Sequence, residues 1–184
     1  MEIITRTQLR EARNSFEKGK SYNSLNDAVN ESKTRKGSVE EVTVFLSHKH
    51  EEGEALKDAI ALLKNRGVKV YVDWLDEDMP KQTSGQTATK IKARIRDNKK
   101  FILLATEKAI ASKWCNWELG LGDAAKYINN IALLPIRNDN ENYSGSEYLQ
   151  IYPVIGRKYS WSENYYEVQF PNKAVIDLDD WLKR

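Results

Sequence analysis

Cysteine is nearly missing from this 184-residue sequence: Cys115 stands alone, beside only two histidines, His48 and His50, and four prolines. A lone thiol excludes an intrachain disulfide and any zinc cage built from several cysteines, and it suits a reducing compartment. Long apolar runs are missing as well. The longest, near 101–105 and 131–136, fall far short of the ~18 residues a membrane-spanning helix needs. The opening stretch, MEIITRTQLREARNSFEKGK, has no apolar core of the kind a secretory signal carries, so a cytoplasmic protein with no membrane partner is expected. Neither sign of charge dominates: 29 Lys and Arg against 27 Asp and Glu leave a net +2. No domain-wide basic field draws nucleic acid, which is therefore not an expected partner, and no acidic block forms a tail.

Apolar residues make up 40% of the chain and charged residues 30%, the balance of a water-soluble globular protein. The length suggests one domain plus an appendage. Over 6–32, Leu9, Ala12 and Phe16, then Leu25, Ala28 and Val29, recur at helical spacing on either side of Gly19-Lys20-Ser21, which predicts a small helical hairpin. Residues 34–38 read as a linker, dividing the chain into a helical extension over 1–38 and a main domain over 39–184 with a long aromatic C-terminal region. From Val42 onward, short apolar runs alternate with amphipathic segments. Strands are predicted at 42–47, 68–72, 101–105 and 131–136, with helices at 54–66, 86–97 and 114–127 and a turn or short helix at 106–112. Residues 73–85, acidic and containing Pro80, form a long loop. Further strands are expected around Val154 and Val168, and an acid-led helix ends the chain at 177–182. Strands alternating with helices imply an α/β fold, a doubly wound parallel sheet covered on both faces, with functional loops at the C-terminal ends of the strands.

Four features admit a sharper chemical reading that the sequence alone does not favour. Gly19-Lys20-Ser21 copies the end of a phosphate-binding loop, but the glycine required five positions earlier is Asn14 and no strand precedes it. His48-Lys49-His50 follows a strand and presents two imidazoles; being the only histidines, they would need carboxylates to complete a metal site, so they read as ordinary loop residues and no metal is expected. Asp73 at a strand end suits a phosphoacceptor, yet the acidic pair needed after the first strand is replaced by His48 and Lys49. Cys115, on a helix between two tryptophans, reads as a packed thiol rather than a nucleophile.

The most specific segment runs Leu103-Leu104-Ala105-Thr106-Glu107-Lys108-Ala109-Ile110-Ala111-Ser112-Lys113-Trp114-Cys115-Asn116-Trp117-Glu118-Leu119. It resembles the TIR-domain family, in which the third strand is followed by a short Ser-rich stretch and a helix opening Trp-Cys-x-x-Glu-Leu. Two more matches fall in order: Val44-Phe45-Leu46-Ser47 resembles the family's first strand, and Gly67-Val68-Lys69-Val70-Tyr71-Val72-Asp73 its second strand leading into the BB loop. The likeness covers about residues 42–136 and implies a flavodoxin-like arrangement of the sheet. Two features depart from it. The acidic residue often found after the first strand is approximated only by Glu51 or Glu52, and the Arg-Gly-Asp-like core of the BB loop is absent.

The resemblance implies an enzyme that cleaves NAD, as substrate and without a further cofactor, between ribose and nicotinamide. Nicotinamide leaves a cationic ring as a neutral amine, so one carboxylate that orients ribose hydroxyls and stabilises an oxocarbenium-like centre suffices. By motif that carboxylate is Glu118. Trp114 lies one helical turn earlier on the same face and, matching the family, packs on ribose or nicotinamide. Ser47, His48 and Lys49, at the end of the first strand, are positioned to meet phosphate or ribose oxygens, and Asp73 borders the same crevice. The products expected are nicotinamide with ADP-ribose or a cyclic ADP-ribose isomer. The likeness extends to bacterial antiphage components of the Thoeris type, which implies TIR–TIR self-assembly and a separate effector that senses the product. Two other readings stay open: a non-catalytic TIR scaffold acting by assembly, and a nucleoside deoxyribosyltransferase-like enzyme.

Overall fold

Short runs of aliphatic and aromatic residues, each alternating between two faces, build one sheet in the computed structural model, which describes residues 1–17, 42–76, 84–143, 145–158 and 165–184. The second half of the predicted hairpin with Gly19-Lys20-Ser21, the linker at 34–38 and most of the acidic loop around Pro80 lie outside these residues. The elements are β1 (Ile4–Thr5), α1 (Arg6–Glu17), β2 (Thr43–Ser47), α2 (Gly53–Lys64), β3 (Lys69–Tyr71), α3 (Gly85–Asp97), β4 (Lys100–Ala105), α4 (Glu107–Ile110), α5 (Lys113–Ala125), β5 (Ile131–Arg137), β6 (Val154–Arg157), β7 (Tyr166–Gln169), β8 (Val175–Asp177) and α6 (Leu178–Lys183).

The strands lie in the order β3-β2-β4-β5-β6-β7-β8, with β1 paired to β5. Strands β3 to β6 of this order are parallel to their neighbours, the flavodoxin-like arrangement expected. The far edge corrects the expectation of an all-parallel sheet: β6–β7 and β7–β8 are antiparallel, because the chain turns back after β6 without a helical crossover among the described residues.

Alternation sends Val44 and Leu46 of β2, Ile102 and Leu104 of β4, and Ala132, Leu134 and Ile136 of β5 to one face, where α1, α2 and α6 cover them with Leu9, Leu56, Ile60, Leu63 and Trp181. Phe45, Phe101, Leu103, Ile131 and Leu133 face the opposite layer, closed by Ile91 and Ile95 of α3 and Cys115 and Leu119 of α5. Phe101 stacks on Phe45, ring centroids 5.6 Å apart at 7°, and Gly122 of α5 rests close against its ring. A Cβ on Gly122 would stand 2.9 Å from that ring, so a residue without a side chain lets α5 reach the sheet. Helix α2 stops where Gly67 takes φ +74°, a left-handed conformation that turns the chain into β3. Lys100, at the start of β4, is fully buried with its ammonium 4.6 Å from the Trp181 ring centre and 2.7 Å from Asn130 Oδ1. Burial pushes its pKa down to about 8.

The helical extension expected over 1–38 carries a strand the sequence does not signal, β1. Ile4 pairs with Ile136, Glu2 forms a backbone bridge to Arg157, and Ile4 and Leu9 are fully buried. Arg13 on α1 meets Asp58 at 2.8 Å and Glu54 at 3.4 Å on α2.

Candidate active site

In an open α/β sheet the crevice lies beyond the C-terminal ends of the strands, where successive connections leave on opposite sides; here that is the gap between β2 and β4. Strand β2 ends there in Ser47. Helix α5 supplies the facing wall: its first turn is capped by Ser112, which accepts from the Cys115 N–H at 3.4 Å. One further turn brings Glu118 over the strand end. Its side chain is 2% exposed, and Ser47 Oγ donates to Glu118 Oε2 at 2.5 Å. The Trp114 indole N–H is a second donor to the carboxylate.

Burial raises the Glu118 pKa to about 8, and the negative charge of Asp73 adds to the rise, while the bonds from Ser47 and Trp114 pull the other way. At neutral pH the side chain therefore holds its proton in most molecules. A cation entering the crevice would favour the carboxylate and release that proton. The result is a negative charge that forms against a positive centre in a water-poor site, where its field is strongest.

The neighbouring residues fall as follows. His48 is buried, its Nδ1 3.3 Å from the Leu46 carbonyl oxygen, and burial holds its pKa below the usual histidine value. His50, exposed, sets its ring 5.5 Å from that of His48, nearly perpendicular to it. Asp73 begins a short 3-10 turn after β3 and acts electrostatically on both Glu118 and His48. Lys49 is half-buried and pairs with Glu51 at 3.6 Å along the surface. Trp114 packs against Trp117, centroids 5.0 Å apart. Cys115 is buried, donates from Sγ to the His48 carbonyl at 3.3 Å and has its pKa raised by burial, as a packed thiol should. Ser47, Trp114 and Glu118 thus form one bonded group with Asp73 and His48 beside it, and Lys49 is engaged elsewhere.

Sequence reasoning missed a second buried carboxylate network behind the loop that follows β2. Glu52, 7% exposed, accepts from Arg6 Nη2 at 2.5 Å and from the Thr106 hydroxyl, and Thr106 Oγ1 also caps α4 by accepting from the Ala109 N–H at 3.1 Å. The acid after the first strand signalled Glu52; nothing signalled Arg6, which reaches it from 46 positions away. At the start of the loop after β3, Asp76 accepts from Tyr71 Oη at 2.7 Å and from Arg94 Nε at 3.0 Å, while Glu77 and Asp78 lie outside the described residues.

A buried glutamate on a Trp-Cys-x-x-Glu-Leu helix, at the switch point of a flavodoxin-like sheet, defines a class. The sequence profile of the TIR domain matches residues 44–166, and the chain belongs to the TIR-domain family. It is also similar to the probable 3′ cyclic ADP-D-ribose synthase ThsB′ of Bacillus cereus strain MSX-D12, at 26% identity over 147 residues covering 77% of this chain and 75% of that protein. No helix among the described residues is long and apolar enough to cross a membrane.

Proposed function

We propose that the protein cleaves the nicotinamide–ribose bond of NAD and acts in antiphage defence by making ADP-ribose or a cyclic ADP-ribose signal. The observation that carries this reading is the buried Glu118 carboxyl, held by Ser47 and Trp114. The similarity to a named cyclic ADP-ribose synthase supports it. NAD is the substrate, and the reaction needs no further cofactor.

As it binds, the cationic nicotinamide ring lowers the Glu118 pKa and the proton passes to solvent water, leaving a carboxylate beside the anomeric carbon. The C1′–N bond then breaks with its electron pair passing to the ring nitrogen, which becomes neutral nicotinamide. The carboxylate stabilises the oxocarbenium-like centre left behind. Attack by water with loss of a proton gives ADP-ribose; attack by an atom of the same molecule closes a ring. No electrons are exchanged with any partner. Ser47 and Trp114 orient the carboxylate by their hydrogen bonds, and His48 and Asp73 border the ribose and phosphates.

Chromatography of untagged protein incubated with NAD, and separately with deoxynucleosides, tests the reading. Nicotinamide release by the natural chain and its loss in Glu118→Gln are expected; comparable turnover by the variant, or deoxyribose transfer in place of NAD cleavage, overturns it. Self-assembly through TIR domains belongs to the same reading and predicts turnover per chain that rises with protein concentration. Dependence of a separate effector on the product is its cellular counterpart.

A further inference from the structure

Strands β2 and β3 run parallel with Phe45 opposite Tyr71, so the chain leaving β2 after Ser47 and the turn that Asp73 opens after β3 emerge at the same end of the sheet. The chain leaving β2 continues directly into His48-Lys49-His50. Two rigid strand ends therefore deliver both histidines and an aspartate to one place, where a ring nitrogen of each histidine and a carboxylate oxygen of Asp73 lie within 4.8 Å of one another. We propose that His48, His50 and Asp73 form a binding site for a divalent transition-metal ion of the zinc, cobalt or nickel type.

The donor set selects the metal. Two imidazoles and one carboxylate suit borderline ions, whereas magnesium and calcium prefer oxygen throughout. Three protein ligands also leave positions open for water or another oxygen donor. His48 has the supporting contact that metal-bound histidines usually have: its Nδ1 faces the Leu46 carbonyl oxygen at 3.3 Å, an arrangement that puts the hydrogen on Nδ1 and the lone pair on Nε2. Bonds of ~2.1 Å require ligand atoms about 3–3.5 Å apart, so the group must contract somewhat. His50 is exposed and can supply that contraction by side-chain rotation, with His48 next to the end of β2 and Asp73 opening the short 3-10 turn after β3. From the sequence the two histidines read as ordinary loop residues that would need carboxylates to complete a metal site; the turn after β3 brings one, Asp73. This site does not depend on Glu118 being catalytic.

Untagged, chelator-treated full-length protein is titrated with zinc by calorimetry and with cobalt by visible absorption. Saturation at one ion per chain is expected, with tetrahedral or five-coordinate cobalt bands. His50→Ala alters an exposed side chain and should keep the fold, checked by circular dichroism; it should weaken binding by about tenfold or more, and Asp73→Asn likewise. At the same concentration zinc should also raise the melting temperature of the natural chain by more than that of His50→Ala. Absence of saturable binding, or equal affinity in the natural chain and His50→Ala, overturns the proposal. If Asp73→Asn does not fold, the His50→Ala comparison decides alone.

Discussion

Replacing Glu118 by glutamine keeps the outline of the side chain and removes its proton equilibrium. The carboxyl titrates near 4.5 in an unfolded chain and at about 8 in the folded protein, so between these values the native state binds a proton that the unfolded state has released. Stability then falls as pH rises, by about 1.4 kcal/mol per unit through this window, or roughly 5 kcal/mol in all; it is fully present below pH 4.5 and lost through pH 8. Because the group is 2% exposed, solvent screening removes little of this. Glu118→Gln lacks the slope. The two proteins should have similar stability near pH 4.5 and diverge above it, until at pH 7 the variant is more stable by about 3 kcal/mol, or roughly 10 °C in melting temperature for a chain of this size. Thermal melts of both proteins at half-unit steps from pH 4.5 to 8.5 measure the gap directly. A gap that stays constant with pH would refute the reasoning, since a solvated surface glutamate gives that result. The same samples should separate stability from chemistry, the variant being the more stable and the inactive one.

Ser47→Ala removes a donor that holds the Glu118 pKa down, so the rising limb of kcat/KM for nicotinamide release should move to higher pH; a limb at the natural position argues against the bond. Gly122→Ala puts a methyl 2.9 Å from a phenyl ring already stacked on Phe45, and an overpacking cost of about 1–3 kcal/mol should outweigh the ~1 kcal/mol helix gain in urea unfolding; a stabilised variant contradicts this. Arg6→Ala strips the buried Glu52 of one partner and should cost about 1–3 kcal/mol in the same assay, with an unchanged midpoint counting against the network.

The central strands were legible because each carries an apolar run, and their helices because residues such as Ala55, Ala59, Leu62 and Leu63 share one helical face. Strand β1 was not, being two residues whose partner is remote. Nor was the antiparallel edge: strands read around Val154 and Val168, but period-two patterns carry no direction. Glu118 and Trp114 were visible through one helix motif. The raised proton affinity was not, because it arises from a strand end, a helix and a loop converging, none of them near the others in sequence. Arg6 and Glu52 were hidden for the same reason.

Strand β1 also has a consequence for synthesis. A chain emerges from the ribosome N-terminus first, yet Ile4 has no strand to join until Ile136 has been made, and Arg6 bonds to Asn138 across 132 positions. At ~5–20 residues per second this segment waits on the order of ten seconds beside a growing sheet it cannot enter. Proteolysis of stalled nascent chains should therefore clip this segment from every chain that ends before β5 and spare it in chains that have cleared the tunnel beyond. Uniform protection at both lengths would mean that the segment docks before its partner exists. The residues of β1 are thus made long before they can fold, and until they dock the C-terminal half of β5 has an open edge.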